Sequence, residues 1–236
     1  MSPKESASLS VTAPVPVPDY LEKTYWWAYV HPNAVRVFER QWLVNLILWG
    51  NFAKLRDAAL EELGAVVNAK VLQVACVYGN FTEYLVKRLG PQGHLDVIDV
   101  APVQIQNLHA KLKDTRQVTV QRQDSNNLQF EDGSRDAVVL FFLLHEQPAD
   151  VRQKTIAEAL RVTKPGGKII FVDYHRPVAI NPFRYIMVPI LTMLEPFAMD
   201  IWRHEITDWL PAGVKPAGVE KITYFGGLYQ KVVITR

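Results

Sequence analysis

The sequence predicts an α/β fold with an open, mostly parallel β-sheet, and three patterns support this. The first is a strand, turn, helix and strand unit over residues 71–99 that ends in a carboxylate. The second is a pair of apolar runs, 136–144 and 169–172, which fit strands buried on both faces. The third is an alternating pair, 219–225 and 229–235, which predicts an antiparallel hairpin at the sheet edge.

The length of 236 residues is sufficient for one α/β domain with additions. We expect residues 1–19 to form a disordered leader, because this stretch is rich in Ser, Pro, Lys and Ala and lacks the apolar core of a signal peptide. Residues 20–64 are expected to form an amphipathic helical lid. Residues 65–236 are expected to form the ligand-binding domain, with an apolar insertion at 180–210.

Charge and cysteine content exclude several classes of protein. The 26 basic and 24 acidic residues give a net charge of +2 without a basic stripe, so we expect no nucleic-acid partner. The single cysteine, Cys76, cannot form an internal disulfide and fits a reducing compartment; it is either a small filler or a reactive thiol. No apolar run reaches the roughly 18 residues of a membrane-spanning helix. We therefore expect a cytoplasmic protein that is soluble or lies on a membrane surface.

The turn after the first predicted strand is the centre of the predicted site. In an open parallel sheet, such a unit binds an adenosine-containing ligand, and the acid that ends the second strand accepts from two ribose hydroxyls. Asp99 is that acid. Asp124 follows the third predicted strand and is expected to accept from the adenine amine, with a turn-forming aspartate as the alternative. The predicted cofactor-binding residues are Gln73, Ala75, Val77, Tyr78, Gly79, Asp99 and Asp124.

Two further strand ends carry acid–base side chains. His145 and Glu146 end the fourth predicted strand at the ligand-binding edge, where they can carry protons, bind a metal, or simply cap the next helix. Asp173 and His175 end the fifth strand and, one residue apart, would point to the same face of an extended segment. Together with His145, they could form a mixed oxygen and nitrogen site for a divalent metal.

Two apolar segments flank this sheet. Asn33 is predicted to cap an amphipathic helix whose aromatic stripe includes Trp42 and Trp49. The helix either packs over the sheet as a lid or docks on a membrane or substrate, and the two roles are compatible. The apolar run of the insertion at 180–210 is broken by Pro189, Pro196 and Glu195, so it is predicted to cover the crevice as an adaptable substrate wall.

From about Lys70 onward, the chain resembles the class I S-adenosylmethionine methyltransferases, closest to those that methylate ubiquinone and menaquinone precursors. Those enzymes read roughly Val-Leu-Asp-Val-Gly-Cys-Gly-Thr-Gly where this chain reads Val-Leu-Gln-Val-Ala-Cys-Val-Tyr-Gly. The resemblance implies a Rossmann-like sheet of seven strands with a C-terminal antiparallel hairpin. The matching landmarks are Asp99, Asp124, the stretch 132–136 and the turn 164–167.

Three motifs resemble a narrower, methyltransferase-like family, the rhodoquinone biosynthesis proteins. They are Trp-Trp-Ala-Tyr at 26–29, Leu-Trp-Gly-Asn at 48–51 and Val-Tyr-Gly-Asn at 77–80. The resemblance implies replacement of a ubiquinone ring methoxy group by an amino group at the inner membrane, with S-adenosylmethionine as nitrogen donor and manganese as cofactor. It assigns no metal ligands. Tyr78 and His145 are the predicted catalytic proton carriers.

Two other readings remain open. The chain can be a conventional quinone C- or O-methyltransferase with a divergent turn. It can also be an inactive methyltransferase fold that binds a quinone or a partner enzyme, although Asp99 and Asp124 favour retained cofactor binding.

Overall fold

The computed structural model describes residues 15–112 and 116–236. The predicted leader falls largely outside these ranges, and its last residue, Asp19, begins the first helix. The helices are α1 (Asp19–Thr24), α2 (Pro32–Phe38), α3 (Gln41–Ile47), α4 (Phe52–Glu61), α5 (Phe81–Val86), α6 (Pro102–Lys111), α7 (Ala149–Val162), α8 (Phe183–Leu194) and α9 (Ala198–Arg203). The strands are β1 (Lys70–Val74), β2 (His94–Asp99), β3 (Val118–Arg122), β4 (Arg135–Phe141), β5 (Thr163–Tyr174), β6 (Gly218–Tyr224) and β7 (Tyr229–Thr235).

The seven strands form one sheet in the order β3-β2-β1-β4-β5-β7-β6. The first five strands in this order pair in parallel, whereas β7 pairs antiparallel with both β5 and β6. The predicted mostly parallel sheet and its C-terminal hairpin are therefore confirmed. Because β1 lies between β2 and β4, the chain reverses direction across the sheet at β1, which is where open α/β sheets bind ligands.

Both faces of the sheet are covered, and the central strand β4 shows this directly. Its residue Val139 packs in a cluster that includes Phe81 of α5, while Val138 and Leu140 pack in the opposite cluster with Ile156 of α7. Each of these side chains is at most 1% exposed. The continuous apolar run of β4 follows from this double burial, since successive strand residues point to opposite faces.

The aromatic N-terminal segment forms two helices where the sequence predicts one. A π-helical turn at Trp26–Val30 leads into α2, and the chain breaks at Glu39 and Arg40 before α3 begins. The prediction that Asn33 caps the helix is wrong: His31 is the N-cap, and its Nδ1 accepts a hydrogen bond from the Asn33 amide at 3.2 Å. The break separates the apolar stripe, so that part of it is buried and part faces outward.

The insertion folds as α8, α9 and a short 3₁₀ turn at Ile206–Trp209. It contacts the N-terminal segment through Trp49, whose indole N–H lies 3.4 Å from the Met187 sulfur and whose ring meets Phe183 edge-on at 4.6 Å. Within the described ranges, the structure contains no helix with the length and apolarity needed to cross a membrane.

Candidate functional site

A cavity of about 540 Å³ opens at the carboxyl ends of β1, β2 and β4. Its walls come from the turn after β1, the N-terminal helices and the insertion. Seven of the candidate residues predicted from sequence line it: Ala75, Val77, Tyr78, Asp99, Asp124, His145 and Glu146. Gln73 and Gly79 are not among the lining residues, so the structure gives them no direct place in the cavity, and their predicted cofactor contacts stay predictions.

The turn after β1 is held in an unfavourable backbone conformation. Ala75 has φ +76°, a left-handed conformation that disfavours a side chain by roughly 1–2 kcal/mol. Gln73 explains how the turn is kept, because its amide Nε2 donates to the Ala75 carbonyl at 2.9 Å and its Oε1 accepts from Thr82 at 3.0 Å. The fully buried Gln73 therefore stabilises the turn through hydrogen bonds within the protein. The resembling enzymes have an acid at this position.

Left-handed non-glycine residues are concentrated at the cavity. Of the four such residues in the described chain, Trp49, Ala75 and Phe142 line it, and Phe225 does not. Residues held in sparsely populated conformations are common at functional sites, where the surrounding structure over-determines them. The left-handed residues thus lie at the edge of the sheet where the strand order also predicts ligand binding.

Asp99 lies at the end of β2 with its carboxylate held by the backbone. Its two oxygens accept from the Cys76 amide at 2.7 Å and from the Ala101 amide at 2.8 Å. Burial raises its pKa to about 6, although these backbone hydrogen bonds favour the charged form. Each oxygen keeps a second lone pair, so the carboxylate can also accept from a diol. Burial also raises the pKa of the neighbouring Cys76 thiol, which favours the filler role over a reactive one.

Tyr78 joins the turn to the N-terminal helices. Its hydroxyl donates to the Ala28 carbonyl at 2.5 Å and accepts from the amide of Gln104 at 2.8 Å. Its ring stacks on Tyr29 and Phe38, with centroids 5.5 and 6.0 Å away. Burial raises the pKa of the phenol well above its usual value. A hydroxyl that is occupied on both sides is suited to holding the lid closed, and its predicted role as a proton carrier stays a prediction.

Lys111 holds the same turn together with its partner Glu39, and the sequence analysis singled out neither residue. The Lys111 ammonium donates to the carbonyls of Val77 at 3.3 Å and Gly79 at 2.9 Å, and it pairs with Glu39 at 2.8 Å. Gly79 has φ +77°, and a Cβ there would lie 2.9 Å from Cζ of Phe52. Glycine is thus required by the backbone and by the close packing of α4. A lysine in the last turn of a helix carries no sequence signal for this role.

The part of the cavity beyond β3 is compatible with both readings of Asp124. Its Oδ1 accepts from the Asn126 amide at 3.1 Å, which is a turn contact, and the residue also lines the cavity. Gln147 lies beside it, fully buried, with its Nε2 donating to Ser125 at 3.0 Å and its Oε1 without a partner among the described residues.

His145 and Asp173 form a buried pair at the far wall of the cavity. The His145 Nδ1 lies 2.8 Å from Asp173 Oδ1. The carboxylate also accepts from the backbone amides of Leu144, His145 and Tyr174, at 2.9, 3.2 and 2.7 Å. Burial lowers the pKa of His145, but the Asp173 carboxylate and two nearby glutamates raise it overall, to about 9. These carboxylates therefore favour the protonated imidazole.

Two carboxyl groups line the cavity beside this pair. Glu146 is 9% exposed, and its Oε1 lies 3.8 Å from His145 Nε2. Burial raises the pKa of both Glu146 and Glu195, and the Asp173 carboxylate raises both further because like charges repel. Tyr29 lies over this cluster, and burial followed by the Glu146 carboxylate raises the pKa of its phenol. Glu195 had no sequence signal beyond interrupting an apolar run.

The metal site expected from Asp173, His175 and His145 is not formed. His175 contacts the Gly227 carbonyl through Nδ1 at 2.8 Å and Lys221 through Nε2 at 3.0 Å. It lies past the end of β5, so the alternation of a strand does not extend to it. Residues 15–112 and 116–236 contain no group of three or more His, Cys, Asp or Glu side chains arranged to hold a metal ion. These donors do not fit the manganese that the resemblance implied.

The chain is similar to known methyltransferases in sequence and in fold. Residues 71–167 match the family model described as a methyltransferase domain. The chain is also 28% identical over 148 residues to a demethylmenaquinone methyltransferase from Staphylococcus aureus, and the aligned part covers 63% of this chain. The chain thus spans 60% of the length of that relative.

Solved structures share the fold. A methyltransferase from Aquifex aeolicus, described as dependent on S-adenosylmethionine, superposes with a TM-score of 0.56 at 19% identity, over 86% of this chain and 97% of that one. The N-methyltransferase NodS from Bradyrhizobium japonicum, in complex with S-adenosylhomocysteine, has a TM-score of 0.56 at 16% identity, over 78% and 86% of the two chains. Residues 71–167 are therefore similar to a methyltransferase domain, and the chain has the Rossmann-like fold of these solved structures.

Proposed function

We propose that this protein transfers the methyl group of S-adenosylmethionine to a quinone-type ring that carries an apolar tail. The observation that carries the proposal is one continuous cavity that contains the Asp99 carboxylate, the buried His145 and the apolar residues of the insertion. A cofactor and an apolar acceptor can thus share one enclosed space. The similarity to a demethylmenaquinone methyltransferase supports a quinone as the class of acceptor.

The chemistry follows from the charges of the two partners. The sulfonium methyl group is an electrophile, so the acceptor must be an electron-rich carbon or oxygen, as in the reduced, hydroxyl-bearing form of a quinone ring. Asp99 would hold the ribose and Asp124 the adenine amine, leaving the methionine end toward the turn and the wall that bears His145. Closure by Tyr78 and the N-terminal helices excludes water from this space.

We further propose that the protein works on a membrane surface, because a long isoprenoid tail keeps such an acceptor in the bilayer. The cavity opens where its own lining residues are also exposed to the outside. Leu46 is 60% exposed, Leu194 46%, Ile47 43%, and Trp49 and Ile190 37% each. An apolar rim at the mouth of an apolar cavity favours passage of a tail from lipid into the site.

The test uses the purified full chain, methyl-labelled S-adenosylmethionine and a quinone kept reduced under anaerobic conditions. We expect labelled product and S-adenosylhomocysteine to form in equal amounts. The acceptors tested are the reduced precursors of ubiquinone and of menaquinone. If the protein binds S-adenosylmethionine but forms neither labelled quinone nor S-adenosylhomocysteine with any of them, methyl transfer to a quinone is contradicted.

A second candidate is amino transfer, in which the α-amine of S-adenosylmethionine replaces a methoxy group on ubiquinone. The altered turn favours this candidate. Gln73 donates its hydrogen bond within the turn, and the Tyr78 hydroxyl is bonded to the N-terminal helices. The methionine end of the cofactor would therefore contact a different surface from the one that a glycine-rich turn provides. The amine nitrogen would bond to the methoxy-bearing carbon, and methoxide would leave with the proton of the amine as methanol. Elimination would then break the bond between the donor's α-carbon and the nitrogen: the electron pair stays on nitrogen, the β-carbon gives up a proton to it, and the donor leaves as an α,β-unsaturated acid.

Heavy-atom labels separate the two candidates. With S-adenosylmethionine labelled at the amine nitrogen, amino transfer predicts the label in the quinone product, whereas methyl transfer predicts only a methyl label. Nitrogen that comes from ammonia or glutamine would contradict the second candidate while leaving the fold and cofactor assignments unchanged.

A further inference from the structure

We propose that His145, positioned by Asp173, is a binding site for a negatively charged ring oxygen of the acceptor. The inference deepens the proposed function and rests on it in one respect, namely that the acceptor is a ring bearing oxygen. His145 Nε2 would donate its hydrogen to that oxygen, and Asp173 would act only through His145.

The first support is the way in which the imidazole is fixed. Asp173 receives three backbone N–H groups in addition to the Nδ1 hydrogen of His145, so its carboxylate has little freedom to turn. The imidazole ring also meets Tyr174 edge-on at 4.9 Å and Phe142 edge-on at 6.0 Å. A ring that is held on one nitrogen and packed on its faces presents its other nitrogen in a set direction.

The second support is the state of Nε2. His145 lines the cavity, and within the described residues Nε2 makes no hydrogen bond, since its nearest carboxylate, Glu146 Oε1, lies 3.8 Å away. The side chain of His145 is only 5% exposed. An N–H that lies at the cavity wall and makes no hydrogen bond within the protein is free to donate to a ligand that enters, and a hydrogen bond from a charged donor is stronger than one from a neutral donor.

The third support is the charge around the imidazole. Asp173 and Tyr174 face it from β5, Glu146 from its own loop, Glu195 from the end of α8, and Tyr29 from the lid. Burial, together with repulsion from Asp173, raises the pKa of both glutamates, whereas Asp173 and these glutamates raise the pKa of His145 to about 9. Near neutral pH, the imidazolium is thus balanced chiefly by Asp173, and its second N–H suits an anion rather than a cation.

Two ligand states share this chemistry. A phenol or hydroquinone would bind as its phenolate, with its proton released to solvent, and would then be activated as a nucleophile toward the methyl group. An oxidised quinone would place a carbonyl oxygen at the same position, and that oxygen gains negative charge when a nucleophile adds to the ring. Charge-assisted hydrogen bonds in a buried site are roughly twice as strong as neutral ones.

The test uses 4-nitrophenol as the ring oxygen, because its phenol and phenolate forms differ in visible absorption. The full chain is saturated with S-adenosylhomocysteine and titrated with the dye below the dye's solution pKa. We expect the parent protein to bind the phenolate. His145→Gln keeps a hydrogen-bond donor but loses the charge, so it should bind the dye as neutral phenol and hold the phenolate roughly tenfold or more weakly.

His175→Gln is the matched control. It changes a histidine two residues from Asp173 that faces Gly227 and Lys221, and the phenolate signal should not change. Asp173→Asn should lose phenolate binding like His145→Gln, and retained S-adenosylhomocysteine affinity shows that either variant is folded. Should Asp173→Asn fail to fold, His145→Gln alone decides. Binding of the neutral form by the parent protein, equal phenolate binding by His145→Gln, or no binding of the dye, would overturn the inference.

Turnover separates this inference from the proposed function. Phenolate binding that depends on His145, without methyl transfer to any reduced quinone, would sink the function and leave the oxygen site standing. Methyl transfer at the parent rate by His145→Gln would do the reverse. Comparison of reduced and oxidised quinone as acceptor then identifies the source of the oxygen, since a phenolate requires the reduced ring and a carbonyl the oxidised one.

Discussion

Asp99 illustrates how a single buried carboxylate can serve the cofactor at a cost to folding. It is 9% exposed, and burial raises its pKa to about 6 while the backbone amides of Cys76 and Ala101 hold it in place. We predict that Asp99→Asn weakens S-adenosylhomocysteine binding roughly tenfold or more, because a hydrogen bond to a charged group contributes about 1.5–3 kcal/mol. Isothermal titration calorimetry measures this.

Asp96→Asn on the same strand is the control for that experiment. Asp96 pairs with Arg135 at 3.0 Å and does not line the cavity, so its loss should lower the free energy of unfolding without changing cofactor affinity. If the parent protein and Asp99→Asn bound S-adenosylhomocysteine with equal affinity, Asp99 would not be a cofactor-binding residue.

The same carboxylate predicts a pH dependence of cofactor binding. Because the ribose hydroxyls require the ionised form, affinity should fall about tenfold per pH unit below about 6, and it should be independent of this group above that pH. In Asp99→Asn, this dependence should disappear. A dependence that persists in the variant would assign it to another group.

Tyr78→Phe tests the role of the hydroxyl in closing the lid. The ring and its stacking on Tyr29 remain, while the hydrogen bonds to Ala28 and Gln104 are lost. We expect the free energy of unfolding to fall by about 1–2 kcal/mol and hydrogen exchange in residues 20–51 to become faster. Tyr84→Phe, on α5 outside the cavity, is the control; similar exchange in both variants would contradict the anchoring role.

At the scale of elements, α3 and α8 both contribute lining residues to the cavity and also present apolar side chains outward. On α3, Trp42 is 61% and Leu46 60% exposed; on α8, Met193 is 80% exposed. Such a contiguous apolar surface is typical of an interaction site, and tryptophan favours the boundary between lipid and water. The break between α2 and α3 matters here, because it lets Val35 and Val44 pack inward while these residues face outward.

We predict that Trp42→Glu with Leu46→Glu abolishes sedimentation of the protein with phospholipid vesicles. Activity on a long-tailed quinone should fall more than activity on a short-tailed analogue. Ile222→Glu, which changes a 49% exposed apolar residue on the edge strand β6, should leave vesicle binding unchanged. Equal loss of activity on both acceptors would mean that α3 has only a structural role.

For the whole molecule, the ionisable groups buried around the cavity predict an unusual pH profile of stability. The folded pKa of Glu146 lies above its unfolded value of 4.5, and that of His145 is about 9 against 6.5. A raised folded pKa contributes stability that is present below the unfolded pKa and is lost as pH rises through the folded one. Both groups therefore act in the same direction.

We accordingly expect the free energy of unfolding, measured with urea, to fall from about pH 4.5 to 9, and most steeply from pH 6.5 to 8, where both groups contribute. Glu146→Gln removes one of the two groups and should flatten this slope. A slope unchanged in Glu146→Gln and in His145→Gln would show that other groups dominate.

The sequence alone was sufficient for the framework of the fold. Strand alternation, the position of Asp99 after β2 and the final hairpin are local patterns, and each was confirmed in the sheet order. Such features depend on neighbours within a few residues, so a linear reading captures them.

Only the tertiary structure decided what the site residues contact. Tyr78 meets Ala28 across 50 positions of sequence, and His145 meets Asp173 across 28. Gln73 lies where the resembling pattern has an acid, yet its side chain braces the turn. His175, one residue past the end of β5, turns away from the partners that strand alternation predicted. The physical reason is that burial, charge and hydrogen bonding of these groups depend on which elements pack against them, and periodicity along the chain carries no information about those partners.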